Sequence, residues 1–228
     1  MIYVCGDTHG EIDLDKVINY FEDLKMYDTV SKDDYLIILG DVSVCWDGGT
    51  GDQEVQRLLN ELPVTVLWLD GNHEGFPEID NYPVSDWKGG KVQHINGTIH
   101  LMRGQVYTID GKKIFTFGGG CSVDQHLRTP YVSWWPEEMP SRDEYDEGIL
   151  NLERNDYTVD YILTHTCPLT IANILASGNP DSRELELNRY FDFVAESVEF
   201  EHWYFGHWHV DENFSQYTCL YNEIVELD

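Results

Sequence analysis

Tyr35-Leu36-Ile37-Ile38-Leu39-Gly40-Asp41 is an unbroken apolar run that ends on a glycine and a carboxylate. A strand with no polar alternation is buried on both faces, as parallel strands are when helices cover them. Working outward, Ile2-Tyr3-Val4-Cys5 before this run and residues 64–69 after it have the same character. Between the first two, Leu14, Val17, Ile18, Phe21 and Leu24 recur at helical spacing behind Asp13 as a cap. Between the second and third, Val55, Leu58, Leu59 and Leu62 do the same. The pattern predicts β-α-β-α-β. Each strand ends in polar residues: Asp7-Thr8-His9-Gly10, Gly40-Asp41 and Gly71-Asn72-His73-Glu74. Residues at the carboxyl ends of successive strands converge on one edge of an open sheet, where α/β sites form.

Beyond residue 92 the period approaches two, and Asp110-Gly111 predicts a hairpin turn between residues 106–109 and 114–117. Residues 118–140 are a loop rich in Gly, Trp and Pro, long enough to suggest function or disorder. Ser141 and Glu144 form a capping-box pattern that opens a helix running to about Leu152. A strand at 161–164 then leads to His165, and Leu187, Tyr190, Phe191, Val194 and Val198 mark an amphipathic helix. A strand at 203–205 presents Gly206-His207-Trp208-His209, and residues 217–227 offer one or two closing strands. With 228 residues and no repeat or linker, a single domain over 1–228 is expected.

The formal charge is -28, from 42 acidic against 14 basic residues. Most of these carboxylates must form a solvated anionic surface, which repels nucleic-acid backbones and anionic lipid. Long nucleic acid is disfavoured as a partner, whereas a small phosphorylated substrate is not. No basic N-terminal stretch suggests a signal peptide, and no apolar run approaches the roughly 20 residues of a membrane span. Five cysteines without a Cys-x-x-Cys pair fit reduced thiols and a cytoplasmic location. Cys45 and Cys167 flank candidate site residues, so redox sensing competes with a plain packing role.

The polar segments carry metal-binding chemistry. Asp7 and His9 can face one ion from a loop that Gly6 and Gly10 let turn tightly. Asp41 offers two oxygens and can bridge two ions. Asn72 supplies a neutral amide oxygen that does not weaken a cation's Lewis acidity. His207 and His209, two apart in an extended segment, should project to the same side. Each has an ordinary explanation alone: a loop aspartate, a helix cap, an asparagine turn, a buried histidine. Together, five of the nine histidines fall at ordered positions, which points to a dinuclear centre. Carboxylates, an amide and imidazoles suit manganese first, with iron, zinc or nickel as alternatives.

In order and across residues 7–209, these segments resemble the motifs of the calcineurin-like metallophosphoesterases: Asp-x-His, Gly-Asp, Gly-Asn-His-Asp/Glu, a lone His and Gly-His-x-His. The resemblance implies an α/β fold, a four-layer α/β/β/α sandwich of two mixed sheets flanked by helices. It implies that Asp7, His9, Asp41 and His209 hold one divalent ion, and that Asp41, Asn72, His165 and His207 hold a second, Asp41 bridging. His73 would face the phosphoryl group and protonate the leaving oxygen, opposite a metal-bridging hydroxide. A carboxylate, Asp47 or Glu74, is expected to orient it.

The chain departs from the protein serine/threonine phosphatase branch. After Asp41 it reads Val42-Ser43-Val44-Cys45-Trp46-Asp47-Gly48-Gly49, without that branch's phosphate-binding arginine. Arg128 is the replacement candidate, as a bidentate phosphate contact beyond a glycine run, ahead of Arg103 and Arg142. Its loop is similar to a bacterial and phage group of the superfamily. The expected function is a metal-dependent phosphoesterase, a phosphatase for a small or exposed phosphorylated substrate. One alternative is a nucleotide or cyclic-nucleotide phosphodiesterase that stacks bases on Trp134 and Trp135. Others are a non-catalytic binding scaffold on the same fold and, against the surface charge, a nuclease.

Overall fold

The computed structural model describes residues 1–25 and 29–228. Strands β1 (Ile2–Cys5), β2 (Tyr35–Ile38) and β3 (Thr65–Trp68) lie parallel, with Ile2 opposite Tyr35 and Tyr35 opposite Thr65. Helices α1 (Asp15–Lys25) and α2 (Thr50–Glu61) connect them. Each apolar strand divides its side chains between two cores. Tyr3, Cys5, Leu36, Ile38, Val66 and Trp68 pack with Val17 and Phe21 of α1 and Val55 and Leu59 of α2. Ile2, Val4, Ile37, Leu39, Leu67 and Leu69 face the opposite way. Burying each Ile or Leu contributes roughly 1.5–3 kcal/mol, so both faces of these strands stabilise the fold.

The one-turn helix α3 (Phe76–Ile79) leads into β4 (Val84–Trp87), β5 (Gly90–Ile95) and β6 (Thr98–Leu101). These strands extend the sheet beside β3, and β13 (Ile224–Leu227) closes its other edge antiparallel to β1. The second sheet takes β7 (Gln105–Ile109), β8 (Lys112–Phe117), β9 (Tyr161–Thr164), β10 (His202–Phe205), β11 (Glu212–Phe214) and β12 (Tyr217–Cys219). Tyr107, Ile109, Ile114, Tyr161 and Leu163 meet the first sheet in the central core. Phe115, Phe117, Ile162, Trp203 and Phe205 face outward, under α4 (Arg142–Arg154), α5 (Leu169–Leu175) and α6 (Leu185–Ser197). The result is two mixed sheets between helices, the α/β/β/α sandwich.

Local chemistry explains the turns. Asp110 (φ 49°) and Gly111 (φ 83°) are both left-handed between Ile109 and Lys112, as a two-residue hairpin requires. The antiparallel region is nevertheless split between the sheets, β5 and β6 in one, β7 and β8 in the other. At the crossing stands Gly104 (φ 71°), where a Cβ would lie 2.8 Å from the backbone of Gly148 in α4. Ser141 and Glu144 form the expected capping box. Asp13 does not act as expected. The helix starts at Asp15, and the Asp13 carboxylate accepts from Tyr221 and faces His9. Residues 118–140 hold two 3₁₀ turns, Gln125–Leu127 and Pro136–Glu138.

Candidate metal centre

β1, β2 and β3 of one sheet and β9 and β10 of the other deliver the candidate residues to a shared edge. Asp7, Asp41, Asn72 and His165 are buried there. His9, Asp41, His207 and His209 have φ of 45°, 51°, 68° and 50°. Such left-handed backbone costs a non-glycine residue of order 1 kcal/mol or more and persists where neighbours impose it. Here the Asp41 carbonyl accepts from the amide of His9 at 2.7 Å, and its carboxylate from that of His73 at 2.7 Å. The Asp7 carboxylate takes the amide of His207 at 3.0 Å. The extended segment expected for His207 and His209 is therefore absent. Both stand on a tight turn and diverge.

Asp7, His9, Asp41 and His209 bring one donor atom each to within 4.8 Å of one another, and among the described residues no other group of acids, histidines or cysteines does so. His209 Nε2 lies 3.1 Å from Asp7, and His9 Nε2 3.4 Å from Asp41. His9 Nδ1 is 3.0 Å from Asp13, so a proton held there leaves Nε2 for the centre. Burial works against ionising Asp7 and Asp41. His209 and His165 beside Asp7, and His165 and His9 beside Asp41, still hold both carboxyls below the usual range.

His165 joins a second group. Its Nδ1–H donates to the Leu39 carbonyl at 2.6 Å, while Nε2 lies 3.0 Å from Asn72 Oδ1 and 3.5 Å from Asp41 Oδ1. In the neutral imidazole those three atoms face one another with lone pairs, an arrangement that a cation satisfies. A Cβ on Gly120 would sit 3.0, 3.3 and 3.4 Å from His165, Asn72 and His207, so glycine keeps this space open. The donor set thus fits divalent ions on both sides of Asp41. His207 packs edge-on to His165, with ring centroids 4.9 Å apart, and turns Nε2 toward Glu184 at 3.1 Å. Burial opposes charge on both partners. Their pairing still pushes His207 up to about 9 and Glu184 down to about 2. Glu184 lies outside every motif, and no local pattern marks it.

Arg128 reaches the centre from the 118–140 loop. Its Nη2 lies 3.0 and 3.2 Å from the two ring nitrogens of His73, Nε pairs with Asp124 at 2.8 Å, and Nη1 donates to the Ser133 carbonyl at 3.1 Å. Burial lowers the pKa of His73, and the Arg128 charge adds to this against the opposing pull of Asp41. Neither carboxylate expected to orient His73 does so. Glu74 is wholly buried beneath the amides of Val42 and Ser43, and Asp47 accepts from the amide of Gly49. Arg103 is buried against Asp70, and Arg142 pairs with Asp146 along α4, so neither enters the site. Trp135 is buried edge-on to Trp46 and offers no open stacking face beside Trp134. All five thiols are buried, Cys45 pushed up to about 12 and Cys167 well above its ordinary value, against redox sensing.

A cleft of about 640 Å³ opens over His73, His207 and His209, walled by Val123, Ala176, Pro180 and Trp208. A cavity of about 630 Å³ around Phe76, His100 and Arg103 shares none of the centre's residues. Among the described residues no helix is long and apolar enough to cross a membrane.

No curated protein matches the sequence. Among solved structures, the fold is similar to that of a Staphylococcus aureus protein provisionally named 5′-nucleotidase, solved in complex with α-ketoglutarate. The TM-score is 0.51 at 15% identity, over 100% of this chain and 51% of the other, so this chain spans about half its length. Mycobacterium tuberculosis phosphopantetheinyl hydrolase aligns with a TM-score of 0.47 at 15% identity, over 96% of this chain and 87% of that one. The family model of the calcineurin-like phosphoesterases matches residues 1–211, and with the motif residues gathered at the shared edge of the two sheets the chain belongs to that family.

Proposed function

We propose that the chain is a phosphatase that hydrolyses a small or exposed phosphate monoester with two divalent cations, manganese first, in the cytoplasm. The observation that carries this is the pair of donor sets sharing Asp41: Asp7, His9 and His209 on one side, Asn72 and His165 on the other with His207 beside them. Two ions bound there would draw charge from the phosphoryl oxygens and bring a water into its nucleophilic form near neutral pH.

The protein's own groups do the rest. Arg128, fixed by Asp124 and Ser133, holds a non-bridging phosphoryl oxygen through its planar guanidinium. His73 beside it gives a proton to the leaving oxygen, and the neighbouring cation favours that release. A dianionic monoester offers Arg128 more charge than a diester does, which supports the monoester over the phosphodiesterase reading. The charge of -28 supports a small substrate over long nucleic acid. A binding scaffold would be expected to lose ligands or His73, and none is replaced.

The test is a panel on metal-free protein reconstituted with Mn, Fe, Zn or Ni. Substrates are a nitrophenyl monoester, nucleoside monophosphates, a diester, cyclic nucleotides and a phosphopeptide. Nucleoside monophosphates enter because of the neighbour's name. Monoester turnover highest with Mn is the expected result. No turnover by protein carrying two ions per chain would leave the scaffold reading.

A further inference from the structure

Two glutamates outside all the motifs are buried against the second donor set. Glu184 stands one residue before α6 and is 4% exposed. Its Oε2 accepts from the Cys121 amide at 2.9 Å and faces His207 Nε2 at 3.1 Å. Its Oε1 accepts from the Thr166 hydroxyl at 2.7 Å and the Asn188 side chain at 3.0 Å. A carboxylate only accepts, so the His207 proton that bonds it sits on Nε2, and Nδ1 is the nitrogen left to ligate.

Glu138 is wholly buried and works at one remove. Its Oε2 accepts from the Ser122 hydroxyl at 2.7 Å, and Oε1 accepts from the Ser122 amide at 3.2 Å and from the Gln125 side chain. The Ser122 hydroxyl also has the Asn72 carbonyl at 3.3 Å, but Glu138 is the closer acceptor; with the proton given to Glu138, the Ser122 oxygen accepts from Asn72 Nδ2, 3.2 Å away. The amide therefore presents nitrogen to Ser122 and Oδ1 to His165 and Asp41. Imidazole and amide keep nearly the same shape when turned over, so neither side chain sets its own polarity. His165 differs, because the Leu39 carbonyl sets it from the backbone.

We infer that Glu184 and Glu138 are positioning residues for the second metal, Glu184 setting His207 and Glu138, through Ser122, setting Asn72. The inference rests on the two-metal reading. Outer partners of this kind are worth roughly 10- to 100-fold in metal affinity. The first donor set has its own partner, Asp13 on His9, so it is spared.

The experiment is stepwise calorimetric titration of the full metal-free chain with Mn, for wild type, Glu184→Ala, Glu184→Gln and Ser122→Ala, with melting temperatures alongside. Long-range ¹⁵N spectra of the Zn-loaded chain report which His207 nitrogen is metallated. Glu184→Ala and Ser122→Ala are expected to weaken the second binding step roughly 10- to 100-fold with the first unchanged. Glu184→Gln, which keeps an acceptor, recovers part of the loss. In wild type, Nδ1 of His207 is metallated and Nε2 carries a proton. An unchanged second step in Glu184→Ala and Ser122→Ala, equal weakening of both steps with a lower melting temperature, or metallation of His207 at Nε2 would overturn the proposal. One ion per wild-type chain would overturn the two-metal reading, and the proposal with it.

Discussion

His73 and Arg128 meet at the mouth of the centre, and their substitutions should separate proton transfer from phosphate binding. His73→Ala is expected to leave metal content intact and to cut turnover of a poor leaving group by ~10²-fold or more. A nitrophenolate needs less help to depart, so its loss should be smaller; equal losses on both esters would remove His73 as the acid. Arg128→Ala should lower kcat/KM for a monoester more than for a diester, with Arg128→Lys recovering only part, since a point charge does not reproduce the guanidinium fork. A ratio of the two esters that stays at the wild-type value would make Arg128 a structural residue held by Asp124 and Ser133.

At the scale of elements, Asp70 at the end of β3 ties three segments together. It faces His100 of β6 at 3.0 Å and Arg103 Nε at 2.6 Å, and Arg103 in turn donates to the Glu137 carbonyl at 2.9 Å. Burial opposes its charge, but the Arg103 guanidinium holds the carboxyl below its ordinary 3.8. The folded pKa lies below the unfolded one, so this stabilisation is fully present above about pH 4 and fades as pH falls through the folded value. Asp70→Asn should therefore destabilise by roughly 3–5 kcal/mol at neutral pH, because buried Arg103 loses its close partner and keeps only the longer contact to Glu144 at 3.5 Å. It should also flatten the acid limb of stability in urea unfolding at pH 3 to 7. Parallel pH profiles for variant and wild type would refute the linkage.

Elements whose partners are local were legible in the sequence. The apolar strands, the Asp110-Gly111 turn and the Ser141–Glu144 box each declare themselves within a few residues. Helix α5 did not, since it is short and held by packing, nor did β4 and β11, exposed edge strands held by pairing with β5 and β12 rather than by a buried period. The site divides in the same way. Strand ends announced Asp7, Asp41 and Asn72 as candidates. Glu138 and Glu184 act through partners that the fold supplies, and the Glu184–His207 contact spans 23 residues with no pattern between.

For the whole molecule, the two sheets meet face to face in the central core and again at the candidate centre. There β1, β2 and β3 contribute Asp7, Asp41 and Asn72, while β9 and β10 contribute His165, His207 and His209. Ions bound there would tie one sheet to the other and offset part of the repulsion within a chain of charge -28. A ligand that binds only the folded state stabilises by about 2.7 kcal/mol at a hundredfold excess over its Kd. For a chain of this size each kcal/mol is worth roughly 2–4 °C, so saturating Mn should raise the melting temperature by about 5–10 °C and chelation should reverse it. Asp41→Asn removes the shared ligand's charge and should abolish most of the shift, while a substitution in the separate cavity around Phe76 and Arg103 should keep it. Scanning calorimetry with and without chelator measures both. A metal-dependent shift that survives in Asp41→Asn would place the stabilising ions elsewhere on the acidic surface and dissolve the link between the two sheets.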